Sequence, residues 1–112
     1  MDVTYKSHKI KQELTDPYGK LLKSNPQRSK LMFRRIEELT SADTLHDLRF
    51  TGGSCHELEG DMKGQLAVKL DGGWRLIFEP ADDPLPRLAG GGLDWKSVRS
   101  VRILEAKDYH NG

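Results

Sequence analysis

The sequence predicts an α+β domain: an N-terminal helical hairpin packed on one face of a small, mostly antiparallel β-sheet. Three observations carry this. Residues 65–78 alternate at strand period around a tight-turn tripeptide, Asp71-Gly72-Gly73. Residues 8–39 hold apolar side chains at helical spacing. A last apolar alternation runs through residues 98–105. At 112 residues the chain is expected to be one domain, 1–112, with a single modest core.

Val3-Thr4-Tyr5 has strand character. Ser7 is placed to cap a helix over Lys9 to Leu14, with Ile10 and Leu14 on one side. Asp16-Pro17 interrupts it, and Leu21 and Leu22 continue the apolar side. Ser24-Asn25-Pro26 is a turn signal, after which a helix is expected over Gln27 to Leu39. Leu31, Met32, Ile36 and Leu39 form its core stripe, leaving Arg28, Lys30, Arg34 and Arg35 for the outer surface. Ser41 or Asp43 caps a short turn containing Leu45 and Leu48. Thr51-Gly52-Gly53-Ser54 then links into the central hairpin.

In that hairpin Leu66, Val68 and Leu70 alternate with Gln65, Ala67 and Lys69. Asp71-Gly72-Gly73 tolerates the positive φ of a tight turn, and Trp74-Arg75-Leu76-Ile77-Phe78 returns. The return run is apolar on both faces except at Arg75, which suits a central strand ending near Pro80. An unpaired buried guanidinium there would cost several kcal/mol. Arg75 therefore needs a carboxylate partner or a cleft open to solvent or ligand. Residues 81–97, rich in Pro, Gly and Asp, read as a long loop. In the closing strand Val101 and Ile103 share one face, Arg102 and Leu104 the other. The expected order is β-α-α-β-β-β, with one sheet face left for a substrate.

No apolar run approaches the ~20 residues of a membrane helix, and MDVTYKSHK has no apolar signal core, so no membrane partner and a cytoplasmic location are expected. One cysteine allows no internal disulfide, Cys55 reads as a small buried residue, and no Cys/His spacing suggests zinc. Neither a metal nor a cofactor is expected. The net charge of +1 is uneven: residues 1–36 carry nine Lys/Arg against three Asp/Glu, residues 37–112 nine against fourteen. The basic segment suits a nucleic acid backbone, an acidic partner, or simply a solvated helix face.

His56-x-Leu58-x-Gly60-Asp61-x-Lys63-Gly64-Gln65, Trp74-Arg75-Leu76-Ile77-Phe78 and the terminal Asp108-Tyr109-His110, in this order and behind a helical hairpin, resemble the HigB branch of the RelE/ParE toxin superfamily. Some relatives of this sequence type carry the label killer suppression protein, yet these motifs belong to the toxin side. The resemblance implies a RelE-like fold and the toxin of a type II toxin-antitoxin system. It implies a ribosome-dependent mRNA endonuclease (mRNA interferase) neutralised by a cognate HigA-like antitoxin with a DNA-binding helix-turn-helix. Messenger RNA and the ribosome are then the other partners. By the same resemblance His56, Arg75, Asp108, Tyr109 and His110 contribute to the active site, and Lys63 contacts phosphate.

Those residue types suit metal-independent cleavage, in which the substrate's 2′-hydroxyl attacks the phosphorus. A base takes its proton, an acid protonates the leaving 5′-oxygen, and cations hold the added negative charge. His56 and His110 are the candidate acid–base pair, in either order. Arg75 binds the phosphate through paired donors and Lys63 as a point charge. Tyr109 stacks on a base or donates to the phosphate. Asp108 orients a histidine or pairs with Arg75. Two alternatives stay open: a ParE-like toxin that inhibits gyrase without RNA chemistry, and a non-catalytic RelE-fold binding or regulatory module. His8 and His46 match no motif and read as surface residues.

Overall fold

A computed structural model describes residues 1–109 and places five strands in one sheet. The elements are β1 (Asp2–Tyr5), α1 (His8–Thr15), α2 (Pro26–Ser41), β2 (His56–Glu57), β3 (Leu66–Lys69), β4 (Trp74–Pro80) and β5 (Ser100–Asp108). Short 3₁₀ turns occupy Leu45–Phe50 and Gly60–Met62. The spatial order is β1-β5-β4-β3-β2, with β1 parallel to β5 and the other pairs antiparallel. This is the expected α+β architecture, with β4 near the centre.

Local chemistry explains the element ends. The Ser7 hydroxyl accepts from the Ile10 N–H at 3.1 Å and starts α1. Asn25 accepts from the Arg28 N–H at 2.9 Å, and Pro26, which has no N–H to satisfy, opens α2. Gly72 takes φ 51° in the β3–β4 turn, where the Trp74 N–H donates to the Asp71 carbonyl at 2.9 Å. Met32 and Leu39 of α2 and Leu14 of α1 pack on Leu66, Val68, Leu76, Phe78, Val101 and Ile103.

Paired residues share a face, so the register sorts the sheet. Leu66, Phe78 and Ile103 form one row of the helix-covered side; Val68, Leu76 and Ala106 form the next. On the other side Lys69, Arg75 and Lys107 form one row, and His56, Ala67, Ile77 and Glu105 the adjacent one. A bulge at Ile77/Phe78 lets β5 pass Leu104 without a partner, which keeps Ile103 inside and Glu105 outside.

Several expectations need correction. Arg35 is not on the outer surface: it is 7% exposed. Its Nε donates to the Lys69 carbonyl (2.7 Å), Nη2 to the Gly52 carbonyl (3.3 Å) and Nη1 to Glu38 (2.9 Å). The guanidinium thus ties α2 to the 51–55 link and the end of β3. Gly53 lies so close that a Cβ there would sit 3.1 Å from Arg35 Nε and from Val68 Cβ. Arg28 is half-buried. It grips Asp71 with Nε and Nη2, each 3.0 Å from a carboxylate oxygen, and its guanidinium lies 4.2 Å from the Trp74 ring centre. Helical periodicity cannot separate such arginines from solvated ones, because the carbonyls of Gly52 and Lys69 and the carboxylate of Asp71 that hold them lie 17 to 43 residues away.

The β2 strand is an addition to the expected order; a two-residue strand is too short to show alternation. The closing strand runs over Ser100–Asp108 rather than residues 98–105, because pairing with β4 continues to Trp74. The 81–97 segment is partly built. Arg87 bridges Leu93, Trp95 is buried, and the Trp95 and Val98 carbonyls accept from the His46 and Leu45 N–H groups.

Candidate functional site

The face of the sheet opposite the helices carries the candidate chemistry. Lys69, Arg75 and Lys107 lie directly opposite one another on three adjacent strands. Like charges so placed destabilise a sheet by roughly 0.2–1 kcal/mol per pair. Among the described residues none of the three is ion-paired. A row of this kind is poised for an external anion.

Arg75 sits half-buried in its centre. Its Nη1 donates to the carbonyls of Gly72 (3.0 Å) and Trp74 (2.8 Å), which turns the guanidinium toward the β3–β4 turn. The carboxylate partner that the sequence left open is absent among the described residues. The open-cleft alternative fits instead.

Tyr109 borders the row. Its N–H donates to the Gly73 carbonyl at 3.0 Å, which makes it a diagonal neighbour of Arg75, about 7–8 Å away. Its hydroxyl donates to Met62 Sδ at 3.3 Å. In the strand order β4 and β3 lie between β5 and the β2–β3 connection, so this contact joins segments on either side of them; Ile77 and Ala67, on the same face of those two strands, are fully buried. Lys107 Nζ lies 5.6 Å from the Tyr109 ring centre. His56 is exposed on the same face at the β2 edge, with Nδ1 3.1 Å from the Ser54 carbonyl, which leaves Nε2 outward. Two strand spacings and one pair step put it roughly 12 Å from Arg75, Cα to Cα.

The register therefore brings His56, Arg75 and Tyr109 to one face. Asp108 pairs with Trp74, which places it on the helix-covered side, one residue out of phase with Arg75. Lys63 lines a separate cavity at the far end of the sheet, with Glu57, Leu85, Arg87 and Leu93. His110 lies outside the described residues. Lys69, Lys107 and Met62 were missed by sequence reasoning. The alternation already put Lys69 out of phase with the core residues, and running the last strand three residues further would have found Lys107.

Other ionisable groups have structural explanations. Burial would raise the Asp71 carboxyl, but hydrogen bonds from Arg28 and Asn25 and the Arg28 charge outweigh it and hold the group below the usual carboxylate range. Burial pushes the Cys55 thiol up to about 12, against the nearby Arg49 charge and with a further upward push from Glu57. The thiol stays protonated and is no nucleophile. Among the described residues no group of three or more His, Cys, Asp or Glu side chains is arranged to hold a metal ion. No helix there is long and apolar enough to cross a membrane.

The family model for the HigB-like toxin, described as the RelE-like toxin of type II toxin-antitoxin system HigB, matches residues 6–86. Toxin HigB-1 of Vibrio cholerae is 38% identical over 52 residues, which are 46% of this chain and 55% of that protein. The match thus spans about half the length of this curated relative.

Proposed function

Because the chain belongs to the HigB-like family of RelE-like toxins of type II toxin-antitoxin systems, we propose that it is a ribosome-dependent mRNA endonuclease working on the helix-free face of its sheet. The observation that carries this reading is the row Lys69–Arg75–Lys107, unpaired among the described residues and flanked by Tyr109 and His56. Three aligned cations neutralise backbone phosphates. Arg75 holds the scissile phosphate and stabilises the charge that grows on it, with Lys69 and Lys107 on flanking phosphates. Tyr109, braced by Met62, offers its ring to a splayed base. His56 and His110 exchange the protons at the 2′- and 5′-oxygens. The chemistry needs no metal or cofactor.

The cognate partner is an antitoxin. An apolar groove of about 500 Å³ runs between the helices, lined by Leu14, Pro17, Leu22, Phe33 and Ile36, with Phe33 71% exposed. Glu37 is the charged residue at its rim, but residues 1–36 as a whole carry nine Lys/Arg against three Asp/Glu, so an acidic amphipathic segment of the antitoxin is the complementary occupant. The protein acts in the cytoplasm, where mRNA and ribosomes are.

Expression of the protein alone, with and without its operon neighbour, followed by mapping of mRNA 5′ ends, tests the reading. New ends within translated codons, suppressed by the neighbour, are expected. Growth arrest with intact mRNA and inhibited gyrase would replace the reading with the ParE-like one.

A further inference from the structure

The cavity that holds Lys63 has no part in the chemistry above, yet it is built like a ligand site. It encloses about 440 Å³, within the usual range for small ligands. One wall is the β2–β3 connection with Lys63; the other is the small hairpin around the Arg87–Leu93 bridge. That second wall lies beyond residues 6–86, the part matched by the family model. Lys63 and Arg87 bring two cations to it; neither forms an ion pair among the described residues. Pro80, Leu85 and Leu93 supply an apolar side.

Glu57 is the remaining lining group, and it is pinned. Its Oε2 accepts from the Trp95 indole N–H at 3.0 Å, and Trp95 is held under the Arg49 guanidinium, 4.3 Å from the ring centre. Oε1 accepts no hydrogen bond from the described residues. A fixed acceptor beside an apolar wall and two cations matches the three parts of a nucleotide: amino edge, base face and phosphate.

We infer that this cavity is a second RNA subsite, which seats a nucleotide a few positions from the cleaved bond and selects a base with an exocyclic amino group. Lys63 and Arg87 take its phosphate, Leu85, Leu93 and Pro80 cover the base, and Glu57 Oε1 accepts from the amino group. Uracil is disfavoured because its single ring N–H lies between two carbonyl oxygens that face the carboxylate. Pro80 is five residues along β4 from Arg75, about 17 Å at the usual strand rise, and faces the other side of the sheet, so one RNA strand reaches both sites by passing around the sheet's end a few nucleotides away. The inference rests on RNA being the substrate, and the test separates the two ideas.

The test is an NMR titration of the ¹⁵N-labelled protein with cytidine 5′-monophosphate and, separately, uridine 5′-monophosphate. The Trp95 indole N–H and the amides of Gly64, Gly91 and Gly92 report the cavity; the amides of Lys69, Arg75 and Lys107 report the sheet face. Cytidine monophosphate is expected to shift the cavity signals, with uridine monophosphate binding at least about fivefold more weakly. Lys63→Ala with Arg87→Ala, both exposed positions, should abolish the cavity response, and Glu57→Gln should erase the base preference. Shifts confined to the sheet face would overturn the subsite while leaving RNA as substrate. Equal binding of both nucleotides, unchanged by Glu57→Gln, would overturn base selection by Glu57. No shift at either place, together with intact mRNA after expression, would remove the RNA reading and the subsite with it.

Discussion

Replacing Arg75 by alanine separates catalysis from folding, because the structure assigns it different weights in each. For folding, the side chain contributes two hydrogen bonds, to the carbonyls of Gly72 and Trp74. Bonds of this kind are worth about 0.5–1.5 kcal/mol each, and both carbonyls lie beside an open face where water can replace the donor. Removal also relieves two like-charge oppositions, with Lys69 and Lys107, worth roughly 0.2–1 kcal/mol each. The net loss is about 1 kcal/mol, or a fall in Tm of about 4–8 °C for a domain near this size. For catalysis, loss of a preorganised donor to developing charge costs about 10²–10³ in rate. Arg75→Ala should therefore stay folded, still bind its antitoxin and fail to cleave. Arg75→Lys keeps the charge without the fork and should fall between. Single-turnover cleavage on programmed ribosomes, beside thermal melts, makes the comparison. A folded Arg75→Ala protein that cleaves at the wild-type rate would remove Arg75 from the mechanism. A large loss of Tm with unimpaired cleavage by the folded fraction would make it a structural residue.

His56→Ala should lower the single-turnover rate by about 10²–10⁴, while the exposed His8→Ala stays active in the same assay. Arg35→Met should destabilise the fold by about 3–5 kcal/mol in urea melts, because it strands Glu38 and the Lys69 and Gly52 carbonyls around an apolar side chain. The Asp71 carboxyl titrates lower in the folded than in the unfolded chain, so its stabilisation is complete above the unfolded value near 4 and fades as the pH falls through the folded value. Tm measured from pH 7 to pH 2.5 should drop more steeply for wild type than for Arg28→Met, in which that difference is gone. With its thiol pushed up to about 12, Cys55 should react with iodoacetamide at pH 8 more than about a hundredfold more slowly in the native than in the urea-unfolded protein.

What the sequence determined by itself was set by near neighbours along the chain. Alternation through Leu66–Leu70 and Trp74–Phe78 made strands, Asp71-Gly72-Gly73 made their turn, and Ser7 and Asn25-Pro26 started the helices. Sterics and capping act over a few residues, so these features are legible before any contact is known. The same alternation put Arg75 out of phase with the core and marked it as the residue needing an explanation. Tertiary structure alone decided which partners meet. Pairing with β4 carried β5 on to Asp108, which brought Lys107 into line with Arg75 and set Asp108 on the other side. Contacts with Lys69 and Gly52 buried an arginine that periodicity had placed in solvent. The packing of Trp95 shaped the 81–97 segment and gave Lys63 a cavity apart from Arg75. Each of these turns on register or on a partner distant in sequence, and a guanidinium or an ammonium has the same local signature whether it meets a carbonyl, a carboxylate or water.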